Sequence, residues 1–180
     1  SFYPLIYWPV DPATAMPTEA AIARVDAYMQ QGGTVLFDTR DQFETSLDLA
    51  NSTSAATQRL RDILGDLNVP ALEPVPDDHV LTKSFFIMKE FPGRYAGAPL
   101  WVEVTAPTQS GEDRPVRVGD GVSPIMITAN DFAGAWAVDE NGQSLLPTVP
   151  SDPMQRIYAL RGGVNIMMYM LTGNYKSDQV

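Results

Sequence analysis

The sequence contains no cysteine, and this absence excludes several kinds of chemistry. Without a thiol, the 180 residues cannot form a disulfide, a thiolate metal site or a cysteine nucleophile. Histidine is almost as scarce, because His79 is the only one in the chain. A single histidine does not make a zinc site, which takes three or four ligands. The cellular compartment stays open, since oxidising and reducing compartments both tolerate a cysteine-free domain.

Long hydrophobic runs and an excess of positive charge are also missing. No apolar stretch approaches the roughly 18 residues that a membrane-spanning helix needs. Twelve Lys and Arg residues stand against 22 Asp and Glu residues, which gives a formal net charge of -10. Nucleic-acid phosphates repel such a chain, so no nucleic-acid partner is expected. The hydrophobic fraction of 44% is enough for one globular domain over residues 1–180.

Strands and helices are predicted to alternate along the chain. Apolar runs at residues 5–8, 34–37 and 124–128 are typical of buried strands, and 85–88 and 100–104 are further strand candidates. Helices are predicted from Glu19 to the Gly32-Gly33 pair, from about Ser54 to Leu64, and from Pro153 to Gly173. Residues 69–78 are expected to be extended loop. The buried stripe of the last helix is predicted to consist of Ile157, Leu160, Val164, Met167 and Leu171.

This alternation predicts an α/β domain with a mostly parallel sheet and helices on both faces. The strands at 5–8, 34–37 and 124–128 are expected to be neighbouring core strands. The chain opens on Ser1, without an initiator Met, directly in an apolar run. Natural termini are usually polar and frayed, so we expect that upstream sequence has been removed.

Polar residues follow two of the predicted core strands directly, and ligands of parallel sheets bind beyond the carboxyl ends of the strands. Residues 34–37 run into Asp38-Thr39-Arg40-Asp41, and residues 124–128 are followed by Asn130-Asp131. We therefore predict one polar cleft that binds a small polar ligand, with His79 reaching over from its loop. The predicted ligand-binding residues are Asp38, Arg40, Asp41, His79, Asn130 and Asp131.

Other interpretations of these residues remain open. Asp38, Arg40 and Asp41 could pair with one another and cap the next helix. His79 could be a loop residue that is hydrogen-bonded to the backbone. The aspartates could also join His79 around a metal or hold a harder cation, but the spacing matches no metal motif, so neither a metal nor a cofactor is predicted. Arg94, after Pro92-Gly93, could bind an anion, although a surface turn is the simpler interpretation.

Several segments resemble a known family of bacterial domains. These are residues 2–10, 33–41, 78–86, 91–94 and, as the most specific piece, 163–176. They resemble an uncharacterised domain at the C-terminus of large membrane proteins whose N-terminus is of the aerotolerance-regulator type. The resemblance implies a class I glutamine-amidotransferase-like fold, flavodoxin-like in outline. It also implies a soluble domain of a membrane-anchored parent protein, and it transfers no catalytic residues.

Family members carry one further strand-helix unit upstream, so the resemblance implies that this chain lacks it. A sheet edge and an apolar patch should then be exposed. The expected partners are the remainder of the same chain and other subunits of a membrane complex, with a homodimer through the exposed edge as a further expectation.

The function predicted from the sequence is a non-catalytic binding or interaction module. Glutamine amidotransferase activity is excluded by the lack of cysteine, and no Gly-x-Ser-x-Gly elbow occurs. A triad of Ser84, His79 and a carboxylate is formally available, but nothing in the sequence orients the base. A hydrolase without a cysteine nucleophile and a small-metabolite or carbohydrate-binding domain are the alternatives.

Overall fold

The chain folds around one five-stranded sheet in a computed structural model that describes residues 3–42, 54–104 and 122–177, with side chains to residue 172. The strands are β1 (Leu5–Pro9), β2 (Thr34–Asp38), β3 (Leu72–Pro74), β4 (Trp101–Glu103) and β5 (Ile125–Thr128). The helices in these ranges are α1 (Glu19–Gln30), α2 (Ala55–Gly65), α3 (Phe132–Trp136) and α4 (Pro153–Ser177), with a 3-10 turn at Val80–Thr82.

The sheet is mixed, with the strand order β1-β2-β5-β4-β3. β2 pairs in parallel with β1 on one side and with β5 on the other, so the prediction that these three strands are neighbours is confirmed. β4 pairs antiparallel with both β5 and β3. The predicted mostly parallel sheet of the flavodoxin-like or class I glutamine-amidotransferase-like type is therefore wrong. Parallel neighbours need a crossover, usually a helix, and residues 75–100 between β3 and β4 contain only the 3-10 turn.

Two segments differ from the predicted elements for reasons visible in their hydrogen bonds. Residues 69–78, predicted as loop, contain β3, and the amide of Val75 donates to Leu100 O beyond it. Residues 85–88, predicted as a strand, form none. The side chain of Asn165 on α4 instead accepts from the amide of Phe86 and donates to its carbonyl, both at 2.8 Å. This side chain takes the place that a neighbouring strand would fill.

Helices α1, α2 and α4 begin where the sequence predicted them, whereas the short helix α3 was not predicted. Thr18 Oγ1 accepts from the amide of Ala21 at 3.2 Å, and Ser54 Oγ accepts from the amide of Thr57 at 3.0 Å. Such bonds satisfy amides of the first turn that have no partner within the helix. The end of α4 was predicted less well, because the helix continues past Gly173 to Ser177.

The side chains of β2 alternate between two cores on opposite faces of the sheet, as the pleat requires. Leu36 belongs to the core beneath α3 and α4, together with residues such as Met126 and Ile166. Val35 and Phe37 belong to the core beneath α1 and α2. All five residues of β2 are buried, so this strand is the centre of the domain and delivers its last residue, Asp38, to the upper edge of the sheet.

Helix α4 is apolar on two opposite sides, and the predicted buried stripe is the outer one. Ile157, Leu160, Val164, Met167 and Leu171 are between 40% and 53% exposed. Ala159, Ile166 and Met170 are each 1% exposed, and at 100° per residue they lie on the opposite side of the helix. That side carries Gly162, where an added Cβ would lie 3.3 Å from the Phe91 ring. The prediction was wrong because apolar residues recur at helical spacing on both sides of α4. The side with the small residues can approach the rest of the domain more closely, and it is the side that is buried.

No helix in the described ranges is long and apolar enough to cross a membrane.

Candidate functional site

Asp38 ends the central strand and ties three segments together. Its carboxylate accepts from the Tyr7 hydroxyl at 2.6 Å and from the amides of Arg40, Asp131 and Phe132 at 3.0, 3.2 and 2.8 Å. The residue is fully buried, and burial raises the pKa of Asp38 to about 6 against the opposing effect of these hydrogen bonds. Burial also raises the pKa of Tyr7, with a further rise from the charge of Asp38. Asp38 therefore lies beneath the site and uses its oxygens within the protein.

Asn130 and Asp131 follow β5 and organise the neighbouring loop. The buried Asn130 amide donates to the carbonyls of Phe91 and Ala98 at 3.0 and 2.9 Å and accepts from the Ala98 amide at 3.2 Å. Asp131 adopts a left-handed conformation, with φ of 55°, and its Oδ1 accepts from the Gly134 amide at 3.0 Å. Its other oxygen lies 4.0 Å from Nη1 of Arg94.

Asp41 is buried among hydroxyl groups. Its carboxylate accepts from Thr39 Oγ1 at 2.5 Å, from Thr57 Oγ1 at 2.9 Å and from Ser54 Oγ. Because Ser54 caps α2, this cluster fixes the start of that helix against the end of β2. Asp41 thus takes part in capping the next helix, as one of the alternative interpretations of the sequence suggested. It does so through hydroxyl groups and not through an arginine.

Arg40 is exposed and carries one of the two positive φ angles found outside glycine, at 56°, in the described residues. Its Nη2 donates to the carbonyl of Val10 at 3.3 Å. No described carboxylate lies within 4.0 Å of its guanidinium, since the one ion pair in the described residues joins Arg94 and Asp131. The predicted pairing of Arg40 with Asp38 or Asp41 is therefore not what the structure shows.

A cleft of about 720 Å³ opens above these strand ends. Its volume is within the range of small-molecule sites, about 300 to 1,000 Å³. Four of its polar lining residues are Arg40, Asp41, Arg94 and Asp131. The apolar part of the lining is formed by Val10, Pro12, Ala55, Ala56 and Val149.

His79 has a structural position in its own loop. Its Nδ1 accepts from the Leu81 amide at 3.1 Å, and its ring packs against Tyr169 with the centroids 5.5 Å apart. Burial lowers the pKa of His79. It is not among the residues that line the cleft, so the prediction that it reaches over the strand ends is wrong, and the backbone-bonded loop interpretation describes it.

Of the six predicted residues, Arg40, Asp41 and Asp131 line the cleft, Asp38 and Asn130 support it from below, and His79 lies elsewhere. Arg94 and Tyr95 line the cleft but were not among the predicted site residues. The Pro92-Gly93-Arg94 turn was the available signal for Arg94. No pattern in the sequence indicates that Tyr7 bonds to Asp38.

The described residues include no group of three His, Asp or Glu side chains placed to hold a metal ion. The arrangement contains buried carboxylates engaged by donors and two guanidinium groups at a cleft. Such a set of groups can hold and orient a polar ligand.

The chain belongs to the family described as a domain of unknown function, DUF4159, which matches residues 1–171. The comparison with curated proteins gives no match.

Proposed function

We propose that this domain is a non-catalytic binding module of a larger, membrane-anchored bacterial protein, and that it binds a small polar ligand in the cleft above β2 and β5. The observation that carries the proposal is the loop of Arg94. This loop is held by several buried groups, yet it leaves the guanidinium at the cleft. A preorganised loop of this kind lowers the cost of fixing a ligand.

Two buried amide side chains, those of Asn130 and Gln155, hold the Arg94 loop. Asn130 bonds to residues on both flanks of the loop, as described above. Gln155, in the first turn of α4, donates from Nε2 to the carbonyls of Gly93 and Arg94 at 3.1 and 2.9 Å. An added Cβ at Gly93 would lie 2.3 Å from the carbonyl oxygen of Asn130, so only glycine permits this approach.

The positive φ angles add to this picture. Arg40 and Asp131 both line the cleft and both adopt the left-handed conformation. For a residue other than glycine this conformation costs about 1–2 kcal/mol. Strained backbone of this kind clusters at functional sites, where the surrounding structure maintains it. Two such residues at one cleft support a binding role.

A binding role agrees better with the hydrogen bonds than hydrolysis does. The Ser84 hydroxyl donates to the carbonyl of Asn165 at 2.8 Å, and His79 Nδ1 accepts from a backbone amide. Neither group is poised as a nucleophile or a base, which need to be within hydrogen-bond reach of each other. Asp38 accepts four hydrogen bonds inside the protein and does not face the cleft.

The test is a fragment screen that follows amide signals of the ¹⁵N-labelled domain by NMR. We expect some fragments to shift the amides of Arg40, Asp41, Tyr95 and Asp131, and to lose this effect in Arg94→Ala. Arg161→Ala is the matched control, because it removes the same charge from α4 at a residue that does not line the cleft and packs on Phe86 instead. A screen in which hits shift only amides outside the cleft would contradict the proposal.

The membrane-anchored parent is proposed from the resemblance of residues 163–176 and the other segments to C-terminal domains of membrane proteins with an aerotolerance-regulator-type N-terminus. We expect the natural full-length protein to remain in the membrane fraction after carbonate washing. Release into the supernatant would contradict membrane anchoring and would leave the cleft proposal untouched.

An interaction role has one specific observation in its favour, the outer side of α4. A helix that is apolar all round is normally buried, but here Leu160, Val164 and Met167 line an exposed groove of about 390 Å³ that reaches Leu5 on the edge strand β1. We propose that the remainder of the same chain covers this surface. A second copy is less suitable, because each copy carries a net charge of -10.

The interaction role is tested by adding native upstream residues and measuring the melting temperature. Covering the groove should raise it, and Val164→Asp should abolish the increase without lowering the melting temperature of the short domain by more than a few degrees. An unchanged melting temperature on extension, or a stable dimer of the short domain in sedimentation, would contradict the proposed partner.

A further inference from the structure

The cleft has more hydrogen-bond donors than acceptors that are free to receive them. A guanidinium group carries five N–H donors. Within the described residues, Arg40 donates to Val10 O at 3.3 Å and Arg94 Nε donates to Pro147 O at 3.1 Å, which leaves most donors of both groups unused. An oxyanion is the kind of acceptor that such charged donors bind most strongly.

The carboxylates of the cleft do not fill this need. Asp41 uses both oxygens on hydroxyl groups of Thr39, Ser54 and Thr57. Asp131 uses Oδ1 on a backbone amide, and its Oδ2 is 4.0 Å from Arg94, which is longer than a hydrogen bond. Arg94 is further held by its own neighbour, because its guanidinium carbon lies 5.2 Å from the centre of the Tyr95 ring.

We infer that the ligand of this cleft is a small organic acid whose carboxylate or phosphate group binds Arg40 and Arg94. The inference rests on the proposed binding function and adds the chemical class of the ligand. A planar guanidinium group can donate two parallel hydrogen bonds to two oxygens of the same carboxylate or phosphate, which a lysine ammonium does not. The fixed loop of Arg94 and the fixed backbone of Arg40 hold the two groups at the cleft before the ligand arrives.

The rest of the lining favours an acid with a short apolar body over a bare inorganic ion. The small or apolar side chains of the lining, here called the apolar wall, are those of Val10, Pro12, Ala55, Ala56 and Val149. A volume of about 720 Å³ also exceeds what a single phosphate needs. The oxyanion would therefore lie at the arginines while the carbon skeleton lies along this wall.

The test titrates the ¹⁵N-labelled domain with three probes at constant ionic strength: butyrate, butyramide and inorganic phosphate. Butyrate and butyramide have nearly the same shape, but only butyrate is anionic at pH 7. We expect butyrate to shift the amides of Arg40, Asp41, Tyr95 and Asp131, and butyramide to leave them in place. Stronger binding of phosphate than of butyrate would assign the ligand to phosphate esters, and the reverse order would assign it to carboxylic acids.

Arg40→Gln and Arg94→Gln should each weaken binding of the preferred anion roughly 10- to 100-fold, the usual loss when a hydrogen bond to a charged group is removed. Arg161→Gln, which changes the charge equally on α4, should leave it within about twofold. Each variant is first checked for an unchanged ¹H–¹⁵N spectrum outside the substituted residue's surroundings. Arg40→Lys and Arg94→Lys replace any glutamine variant that fails this check, and they should weaken binding because the paired contact is lost.

Three results would overturn the inference in different ways. Equal shifts with butyramide and butyrate, unchanged in the arginine variants, would show a cleft that binds neutral ligands and would leave the proposed function intact. If all three probes leave the cleft amides in place at high millimolar concentration while neutral fragments shift them, the anionic class is wrong. If neither the probes nor any fragment shifts them, the proposed function fails as well.

Discussion

The buried Asp38 carboxylate should make stability depend on pH in a direction that its environment determines. Its pKa of about 6 lies above the ordinary aspartate value of 3.8 because burial disfavours the charged form. Ionisation in the folded state is therefore harder than in the unfolded chain by about 2 pH units, or about 3 kcal/mol at roughly 1.36 kcal/mol per unit. The stability that the protonated form contributes is complete below the unfolded pKa and is lost as the pH rises through about 6.

The measurement is the free energy of unfolding in urea between pH 4 and pH 7 for the natural chain and for Asp38→Asn. The difference between the two isolates residue 38, because the other titrating groups are common to both. We expect the natural chain to lose about 2–3 kcal/mol relative to Asp38→Asn between pH 4 and pH 7. Asp62→Asn makes the same chemical change at an exposed position on α2 and is the matched control variant.

Tyr7→Phe, compared in the same way with and without Asp38→Asn, tests whether burial opposed by hydrogen bonds sets the pKa of Asp38. The Tyr7 hydroxyl donates to Asp38 and opposes the effect of burial, so its removal should move the midpoint of the difference curve to higher pH. A difference that is flat, or that grows as the pH rises, would refute the reasoning. It would show that the four donors around the carboxylate outweigh its desolvation.

Three further predictions concern packing and backbone conformation. Met170→Ala should cost about 2–5 kcal/mol of unfolding free energy and Met167→Ala less than about 1 kcal/mol, because only Met170 lies on the buried side of α4; equal losses in urea unfolding would contradict the assignment of the two sides. Gly93→Ala should lower the free energy of unfolding by about 3 kcal/mol or more, because the added Cβ would overlap a backbone oxygen. Gly65→Ala has open space around the added Cβ and should be neutral or stabilising by up to about 1 kcal/mol. Similar changes in the melting temperatures of the two variants would contradict this prediction. Arg40→Gly should be about 1 kcal/mol more stable than Arg40→Ala because of the positive φ angle, and the opposite order would argue against that conformation.

Local patterns in the sequence predicted the elements that depend on neighbouring residues. The helix starts at Thr18 and Ser54 follow from capping side chains that act within three residues. The strands at 5–8, 34–37 and 124–128 follow from short apolar runs, and their adjacency follows from the helices between them. The placement of polar residues after β2 and β5 was enough to predict that Arg40, Asp41 and Asp131 share one cleft.

Long-range contacts decided the rest, and each depends on groups far apart in the chain. The sheet is mixed because β3 and β4 pair without a crossover helix, and no local pattern fixes which neighbour a short strand of three residues will take. The predicted position of His79 at the cleft was wrong because a lone histidine before an apolar run does not indicate which part of the domain its side chain contacts. Its loop is held by backbone bonds and by Tyr169, 90 positions away.

The two sides of α4 show most clearly what sequence alone determines. Its periodicity shows that a helix forms there, and it shows two apolar stripes of similar strength. Which stripe faces the sheet depends on how closely each can approach. The side with Ala159 and Gly162 meets Phe91, while Asn165 bonds to the segment around Phe86. Packing distance is a property of two surfaces together, so only the tertiary structure could choose between the stripes.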